Sequence, residues 1–404
     1  MRPSPGRVLA ILAIAELLGM APWFSASAVA PSLARVWQLT PAETAWLTIS
    51  VQLGFVAGAL LSAVLTLADR WSARRLVAGS AALAAVATLG VAVSPGKGVG
   101  IACRLLTGAA LAGVYPPGMK IVAGWFKEGR GLAIGILVGA LTLGSATPHL
   151  VRWAAPPTAW RVVVIVAAIS AVVGGLLVLI VPNDGPYAAP SPPFSWSAAP
   201  RLLKDRAALL ANLGYLGHMW ELYAMWTWIA VFVAASERLR RGGDADVTAT
   251  AALVTFTVVG SGAIGCWLGG RYADRAGRTL VTSVAMLISG SCALVVGALF
   301  GSPLIALVPL LLLWGITVVA DSAQFSAAVS ELAPREYVGT ALTLQTSLGF
   351  LLTCATIYLL PRMAASIGWR WAMSVLTVGP AWGVAAMLAL RRRPEATQLA
   401  GGRR

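Results

Sequence analysis

The chain has 404 residues, of which 58% are hydrophobic and only 11% are charged, and its mean hydropathy is +0.80. Soluble proteins carry about 25% charged residues, so a water-soluble fold of this length is excluded. A formal charge of +15 would suggest nucleic acid in a soluble protein. Here the basic residues lie in short loops between apolar runs, which indicates a lipid bilayer as the surroundings and no nucleic-acid partner.

Twelve apolar runs are long enough to cross a membrane as helices. Lipid offers no hydrogen-bond partners to the backbone, so each run must be helical. The sequence therefore predicts an all-α integral membrane protein with twelve transmembrane helices. These spans 1 to 12 are predicted at residues 8–30, 45–67, 75–94, 99–123, 131–152, 160–181, 207–234, 249–269, 280–300, 304–330, 339–360 and 369–390.

Loop charge predicts the orientation of these spans. If both termini are cytoplasmic, 20 basic residues face the cytoplasm and 9 face the other side. An excess of Lys and Arg is typical of cytoplasmic loops. We therefore predict a multi-pass protein of the cell (inner) membrane with both termini cytoplasmic.

The longest connection lies between spans 6 and 7 and begins PNDGPYAAPSPPFSWSAAP. Pro-rich segments of this kind act as semi-rigid spacers. The connection predicts four segments: an N-terminal six-helix bundle at residues 1–181, a cytoplasmic Pro-rich linker at 182–206, a C-terminal six-helix bundle at 207–390, and a basic cytoplasmic tail at 391–404.

The two halves carry matching landmarks at offsets between 205 and 209 positions. Asp69-Arg70 matches Asp274-Arg275, Lys127-Glu128 matches Arg335-Glu336, Trp160-Arg161 matches Trp369-Arg370, and Glu16 lies opposite Glu221. Six spans per half preserve direction, so the halves are parallel repeats about an axis normal to the membrane. Such repeats place a binding site at mid-depth between two pseudo-symmetric bundles.

The motif G-x-x-x-D-R-x-G-R occupies the loop after span 8, from Gly270 to Arg278. The loop after span 2 keeps Asp69, Arg70 and Arg74, but Leu65 and Ser72 replace the glycines; in span 4, Arg104 and Gly108 form R-x-x-x-G. On these motifs the whole chain resembles the major facilitator superfamily of secondary transporters, with a weaker likeness to its nitrate- and cyanate-type branch.

The two motif loops are candidate gates. An Asp at a helix end can lie near the positive N-terminus of a neighbouring helix. Its neighbouring arginines can pair with carboxylates of the other half, and Gly277 permits a turn with positive φ. The alternative is that these residues are topology charges and a helix cap. The predicted gating residues are Asp69, Arg70, Arg74, Gly270, Asp274, Arg275, Gly277 and Arg278.

Ionisable residues inside spans are costly and are therefore candidates for function. The candidates are Glu16, Arg104, His149, His218, Glu221 and Asp321. Five of these six lie on spans 1, 4, 7 and 10, which line the central cavity in the family that the chain resembles. Helical spacing places aromatic and polar side chains on the same faces. The predicted substrate-binding or proton-coupling residues are Glu16, Trp23, Arg104, Tyr115, His218, Glu221, Trp228, Trp314, Asp321 and Gln324.

Several roles for these residues stay open at the level of sequence. Arg104 needs an anion nearby, either an internal carboxylate or the substrate. His218 lies one turn from Glu221 and can share its proton. A structural Glu16–Arg104 ion pair and a structural His218–Glu221 hydrogen bond are the alternatives. His149 is interpreted as a contact within the bundle.

Two sequence features predict helix mechanics. Pro116-Pro117 should interrupt span 4. Gly131, Gly135 and Gly139 form a close-packing face on span 5.

Together these features predict a proton-coupled secondary transporter, a symporter of a small solute working by alternating access. An organic or inorganic anion is the candidate solute, and we expect a monomer without cofactor or metal. The main alternative is a drug/metabolite–proton antiporter, which the sequence Ser145-Ala146-Thr147-Pro148 after Gly144 disfavours. More distant alternatives are a membrane enzyme or a receptor. The chain contains no H-E-x-x-H, G-x-S-x-G or P-loop motif and is therefore not expected to be an enzyme.

Overall fold

The computed structural model of the protein describes residues 4–156, 158–188, 194–243 and 246–403. Throughout these ranges the regular structure is helical, without a strand. Residues 189–193 of the predicted linker lie outside the described residues.

The N-terminal half contains spans 1 to 6. Span 1 is formed by Pro5–Met20 and Ser25–Ala28, followed by a short helix at Ala30–Val36. Spans 2 and 3 are Pro41–Val64 and Ala73–Val93, with a single turn at Leu67–Arg70 between them. Span 4 comprises Lys97–Leu111 and Tyr115–Trp125, span 5 is Arg130–Ala154, and span 6 is Trp160–Leu179.

The C-terminal half contains spans 7 to 12. A short helix at Ala199–Lys204 leads into span 7, Arg206–Arg241, and span 8 follows at Thr248–Ala276. Span 9 is Arg278–Val295, which continues as a 3-10 turn at Val296–Leu299, and span 10 comprises Leu304–Thr317 and Ser322–Leu332. After a 3-10 turn at Arg335–Tyr337, the helical stretch Val338–Ala372, which is kinked at Gly368, contains span 11. Span 12 follows through the 3-10 turn Met373–Thr377 and the helix Val378–Arg391, and the tail ends in a 3-10 segment, Pro394–Gly401.

Nine helical stretches in the described part of the chain are long and apolar enough to cross a membrane. One of them, Arg335–Arg391, has 57 residues and contains Gly368 with φ of 78°, where the chain turns back, so it contains both span 11 and span 12. Spans 1 and 7 are not among the nine. The first helix of span 1 has only 16 residues before its turn, and the helix of span 7 is less apolar than the others. Counting these, the structure has the predicted twelve spans.

The outer surface of the molecule is apolar, as a protein surrounded by lipid requires. Large side chains such as Val93, Leu176 and Ile305 are exposed, the last of them to 86%. An apolar surface of this extent would be unfavourable in water. The helices therefore use their apolar faces for lipid contact as well as for the core.

The starts of several helices follow from local capping chemistry. Thr40 Oγ1 accepts a hydrogen bond from the Glu43 backbone N–H at 3.2 Å, and Glu43 Oε2 accepts one from Thr40 N–H at 2.8 Å, which completes a capping box. The Asp205 carboxylate likewise accepts from Ala208 N–H at 2.8 Å, before span 7. These polar caps begin the helices next to the membrane surface.

Three spans are broken, of which only span 4 was predicted to be. Its break lies at residues 112–114, directly before the helix that starts at Tyr115 with Pro116 in its first turn. The breaks in spans 1 and 10 were not predicted from the sequence. Span 1 is interrupted by turns at residues 21–24, and span 10 is interrupted between Thr317 and Ser322. The breaks in spans 4 and 10 lie at equivalent places in the two repeats.

Helix packing confirms the pseudo-symmetry. In the N-terminal half, span 2 packs on span 4 and span 3 on span 6; in the C-terminal half, span 8 packs on span 10 and span 9 on span 12. Across the halves, span 5 packs on span 8 and span 2 on span 11. Exchanging the two repeats turns each of these cross-contacts into the other, as a twofold relation requires.

The contact between spans 5 and 8 depends on glycine. A Cβ atom on Gly135 would lie 2.8 Å from the Cys266 carbonyl oxygen, and one on Gly139 would lie 3.2 Å from the Ala263 carbonyl oxygen. The predicted close-packing face of span 5 is therefore confirmed, and it joins the two halves. We call this contact the 5–8 seam.

Candidate functional site

A buried histidine and a buried aspartate meet between spans 7 and 10. The Nδ1 atom of His218 lies 2.9 Å from Oδ1 of Asp321. Both side chains are buried, and within the described residues Nε2 of His218 has no hydrogen-bond partner. The predicted pairing of His218 with Glu221 is therefore wrong, because the break in span 10 brings Asp321 to the histidine instead.

Glu221 is held by two donors from other spans. Its Oε1 accepts a hydrogen bond from Trp314 Nε1 at 2.7 Å, and its Oε2 accepts one from Ser289 Oγ at 2.8 Å. The carboxyl is 1% exposed and lies within electrostatic range of Asp321. Spans 7, 9 and 10 thus converge on one carboxyl group, and His218–Asp321 lies beside it.

Aromatic rings from both halves fill the interface between the bundles. Phe55 and Phe350 have ring centroids 4.6 Å apart, and Trp23 lies 5.7 Å from Tyr223 and 5.6 Å from Phe350. We call these rings the aromatic cluster. Its members come from spans 1, 2, 7 and 11, and all are buried: Trp23, Phe24, Phe55, Tyr223, Trp226 and Phe350.

Glu16 and Tyr115 lie where spans 1 and 4 face each other. Glu16 is buried, and its Oε1 has no hydrogen-bond partner among the described residues. A Cβ atom on Gly118 would lie 3.0 Å from Glu16 Oε2, so the carboxyl rests against the second piece of span 4. Tyr115 is half-buried at the start of that piece.

Arg104 binds the break in span 1 and not Glu16. Its Nη1 donates to the Pro22 carbonyl oxygen at 2.7 Å, its Nε donates to Leu47 O at 3.1 Å, and its Nη2 donates to Trp23 O. The Pro22 and Trp23 carbonyls lie in the turn that follows the first helix of span 1 and carry the partial negative charge of a helix C-terminus. The guanidinium is 0% exposed and stabilises the non-helical turn. No carboxylate is paired with it within the described chain, so the alternative of a Glu16–Arg104 ion pair is wrong in this conformation.

Two other predicted site residues join helices to one another. Trp228 Nε1 donates to the Ile357 carbonyl oxygen at 3.0 Å, which links span 7 to span 11. Gln324 Oε1 accepts from Arg278 Nη1 at 2.7 Å, so Gln324 belongs to the contacts of the motif loop and not to the His218–Asp321 group.

The motif loop after span 8 forms a network at the membrane side of the termini. Arg278 donates to both Glu331 oxygens, at 2.7 and 2.6 Å, and lies 3.7 Å from Asp274. Gly277 has φ of 92°, as predicted for this turn. A Cβ atom on Gly131 would lie 2.8 Å from Asp274 Oδ2, so this carboxylate faces the N-terminus of span 5 across the 5–8 seam. Gly270 packs on Gly131 in the same seam.

The loop after span 2 is bonded to span 4 and to the start of the linker. Asp69 pairs with Lys120 of span 4, and Arg74 Nε lies 3.6 Å from Asp184 Oδ1. Ser72 has φ of −61°, so its backbone does not adopt the turn that Gly277 adopts in the other repeat.

The expected pairing of motif arginines with carboxylates of the other half is therefore wrong in this conformation, since Arg278 pairs within its own half. Arg70 and Arg275 occupy equivalent, exposed positions of the two loops. Of the predicted gating residues, Asp274 and Gly270 lie at the seam between the halves.

Sequence reasoning missed Ser289, Glu331 and the rings that surround Trp23. A serine in an apolar span gives no signal before its partner is known. Glu331 at the end of span 10 could have been found as a carboxylate close to the membrane boundary. Tyr223 and Phe350 looked like ordinary apolar residues, because nothing in one sequence indicates which rings from different halves meet.

Comparison with known proteins agrees with this architecture. The model of the Major Facilitator Superfamily matches residues 12–357. The chain is 29% identical over 160 residues to "Niacin transporter NiaP" of Acinetobacter baylyi, which covers 39% of this chain and 36% of the relative. It is 25% identical over 216 residues to the "3-(3-hydroxy-phenyl)propionate transporter" of Escherichia coli, covering 52% of each protein. The alignments thus span only about a third to a half of the curated relatives.

Solved structures have the same fold over almost the whole chain. XylE of E. coli, in a partially occluded inward open conformation, has a TM-score of 0.73 at 14% identity, covering 96% of this chain and 98% of that chain. A variant of the nucleoside transporter NupG has a TM-score of 0.72 at 16% identity, covering 95% and 99% of the two chains. With the twelve spans, the paired repeats and the matching family model in place, the chain belongs to the Major Facilitator Superfamily of membrane transporters.

Proposed function

We propose that this protein carries small aromatic carboxylates across the membrane by alternating access, coupled to protons. The observation that carries the proposal is the aromatic cluster, in which ring centroids from the two halves lie 4.6 to 6.3 Å apart. A solute that crosses between the halves has to displace these rings. An aromatic solute can replace the ring contacts that it breaks, because offset and tilted ring pairs are favourable.

The named relatives support the same class of solute. Niacin and 3-(3-hydroxyphenyl)propionate each combine an aromatic ring with one carboxylate, and each names a transporter to which this chain is similar. This class is narrower than the organic or inorganic anion that the sequence suggested. It also differs from the inorganic substrates of the nitrate- and cyanate-type branch.

Proton coupling is supported by three titratable groups that lie close to one another. Glu221, His218 and Asp321 are buried between spans 7 and 10, where a proton can pass among them without crossing lipid. One proton moving down 100 mV releases about 2.3 kcal/mol, or roughly fortyfold accumulation at ~1.4 kcal/mol per decade. One coupled proton is enough for useful transport.

Gating is assigned to the 5–8 seam and the Asp274–Arg278–Glu331 network at its end. We place this network, and both termini, on the cytoplasmic side of the cell membrane, because 20 basic residues lie there in that orientation. In this arrangement the structure is closed toward the cytoplasm along the seam. A monomer is sufficient, since both halves of the proposed path belong to one chain.

The test is uptake of labelled nicotinate and 3-(3-hydroxyphenyl)propionate by proteoliposomes under an imposed pH gradient. We expect uptake by the parent protein, and loss of gradient-driven uptake with Glu221→Gln or Asp321→Asn. The matched control is Glu128→Gln, which removes an exposed loop carboxylate. Parent protein that accumulates neither compound would overturn the substrate class, and full gradient-driven uptake by both variants would overturn the coupling role.

Export is the alternative direction, as in a metabolite–proton antiporter. The same proteoliposomes distinguish it by reversing the pH gradient. A symporter accumulates solute on the side toward which protons flow. An antiporter accumulates solute on the opposite side.

A further inference from the structure

A cavity opens on the membrane side opposite the termini, which we call the far side. It has a volume of about 210 Å³ and is walled by spans 1, 2, 5, 7 and 8. It therefore lies between the halves, separate from the carboxyl groups of spans 7 and 10. For comparison, an apolar cavity of ~150 Å³ binds benzene, so this cavity has room for a small aromatic ring with a carboxylate.

The ionisable groups that line this cavity are all basic. Arg152 of span 5 and Arg238 of span 7 contribute guanidinium groups, His149 contributes an imidazole, and no carboxylate is among the lining residues described. His149 and Arg152 are each only 4% exposed. Within the described residues Arg152 donates only to the Pro156 carbonyl oxygen, at 3.1 Å, and His149 makes no hydrogen bond. A buried guanidinium without a paired anion is costly, so this cavity favours a negatively charged ligand.

A single carboxylate at the mouth of the cavity does not neutralise these arginines. The pKa of Asp246 is lowered first by the hydrogen bond from Thr248 N–H, and further by the nearby cations of Arg152 and Arg238. No ion pair of 4.0 Å or less joins Asp246 to either arginine. Arg35 lies close enough to Arg152 to repel it, which adds to the positive charge.

The rest of the wall suits an aromatic ring and a few hydrogen bonds. Trp228, Val231 and Ala251 supply apolar surface, and the hydroxyls of Ser27 and Thr48 lie 2.7 Å apart within the wall. Apolar walls with a few placed polar groups are typical of sites for small molecules.

We propose that this cavity is a loading site for a small aromatic carboxylate, with Arg152 and Arg238 binding the carboxylate. The choice of an aromatic carboxylate rests on the proposed function. Because Arg152 belongs to the N-terminal half and Arg238 to the C-terminal half, the bound anion contacts both halves. The site lies on the path toward the aromatic cluster. The solute binds here first and reaches His218 and Glu221 afterwards.

The experiment measures charge selectivity at the cavity without requiring transport. Ala234→Cys, a half-buried lining position, is labelled in purified protein with an anionic and a cationic methanethiosulfonate reagent. The ratio of the anionic to the cationic labelling rate is divided by the same ratio for free cysteine, which corrects for the different reactivity of the two reagents. Labelling of the parent protein measures the background from the four native cysteines. We expect a ratio of about ten in favour of the anionic reagent, because a cleft of one charge sign raises the local concentration of its counter-ion.

The variants decide which arginines are responsible. Arg152→Gln and Arg238→Gln together should bring the ratio to about one, whereas the control Arg241→Gln should leave it unchanged. Arg241 is a far-side arginine of the same span that is bonded to Glu237 at 2.8 Å and does not line the cavity. Excess benzoate should slow labelling in the parent protein and not in the double variant.

The proposal is overturned by a ratio of one in the parent protein, by a ratio that persists in the double variant, or by absence of benzoate protection. It is also overturned if neither Ala234→Cys nor Thr44→Cys, a second lining position, reacts. If the parent protein transports no carboxylate, the proposed function fails, but the labelling ratio and the protection by benzoate still show whether the cavity binds an anion. If it does transport one, Arg152→Gln should raise the far-side KM about tenfold and leave Vmax within about twofold.

Discussion

His218 Nδ1 lies 2.9 Å from Asp321 Oδ1, where span 10 is interrupted. Asp321 stands at the N-cap position of Ser322–Leu332, yet its side chain makes no capping bond to that helix. A carboxylate at such a position usually accepts from its own helix. Here the carboxylate faces the histidine of span 7, so the break in span 10 serves the contact between helices.

This relationship predicts strong coupling between the two residues. His218→Gln and Asp321→Asn should each lower gradient-driven uptake at least about tenfold, because removing one partner of a buried pair leaves the other uncompensated. The double variant should be no worse than either single variant, as expected for residues that act as a unit. Uptake measured across the full double-mutant cycle checks this, and losses that multiply would indicate independent roles.

The network at the membrane side of the termini should hold that side closed. Arg278→Gln removes the two-oxygen contact with Glu331, a charge-assisted interaction of about 1.5 to 3 kcal/mol. The seam should then open more often, and Leu132→Cys, next to Gly270, should react about ten times faster with a polar thiol reagent.

The control for this prediction is Arg275→Gln. Arg275 is an exposed arginine of the same loop, and no ion pair is found for it among the described residues. Its substitution should change the labelling rate by less than about twofold. Equal labelling in the two variants would contradict a gating role for Arg278.

The 5–8 seam should not tolerate added side-chain volume. A Cβ atom at Gly135 would lie 2.8 Å from the Cys266 carbonyl oxygen, which belongs to the backbone and cannot move aside alone. Gly135→Ala should therefore separate the two spans and lower the transport rate at least about tenfold, with a strain of about 1 to 3 kcal/mol.

Gly79→Ala in span 3 is the matched control, because no atom lies within 4 Å of its added Cβ. It should keep full transport and gain up to about 1 kcal/mol of helix stability. Transport rates and thermal unfolding of both variants in detergent check the pair. A Gly135→Ala protein as active as Gly79→Ala would mean that the seam does not limit transport.

Arg104 should be required for stability. Arg104→Ala leaves the carbonyls of Pro22 and Trp23 without their donor, and we expect a loss of about 3 to 5 kcal/mol in the free energy of unfolding. Arg104→Lys should lose part of this, because an ammonium cannot reproduce the planar fork of donors. Denaturant unfolding in detergent measures both variants. A normal stability of Arg104→Ala, together with selective loss of anion binding, would instead indicate a ligand-binding arginine.

Much of the architecture follows from the sequence alone, because it depends on local or averaged properties. Apolar run length predicts where helices cross the membrane, and recurring pairs such as Asp69-Arg70 and Asp274-Arg275 predict two repeats. Glycine spacing on span 5 predicts close packing, and the turn at Gly277 follows from its missing side chain. These features need no knowledge of the partner helix.

The partners of the buried polar groups could not be predicted in this way. Spacing along span 7 suggested that His218 pairs with Glu221. In the structure His218 pairs with Asp321, and Glu221 accepts a hydrogen bond from Trp314. Likewise Arg104 was expected near an anion and instead binds carbonyl groups released by the break in span 1. Each outcome depends on a helix break whose position is set by packing against other spans.

By itself, then, the sequence determines that this chain is a twelve-helix membrane protein of two related halves, and it identifies six ionisable residues inside the spans. Only the tertiary structure decides which of them meet, which rings close the interface, and that Arg152 and Arg238 share one cavity. The physical reason is that the two kinds of feature depend on different distances along the chain. Apolar content and helical period are properties of a few turns of one helix. A hydrogen bond between helices depends on the rotation, tilt and interruption of both, and these are determined only when all the spans pack together.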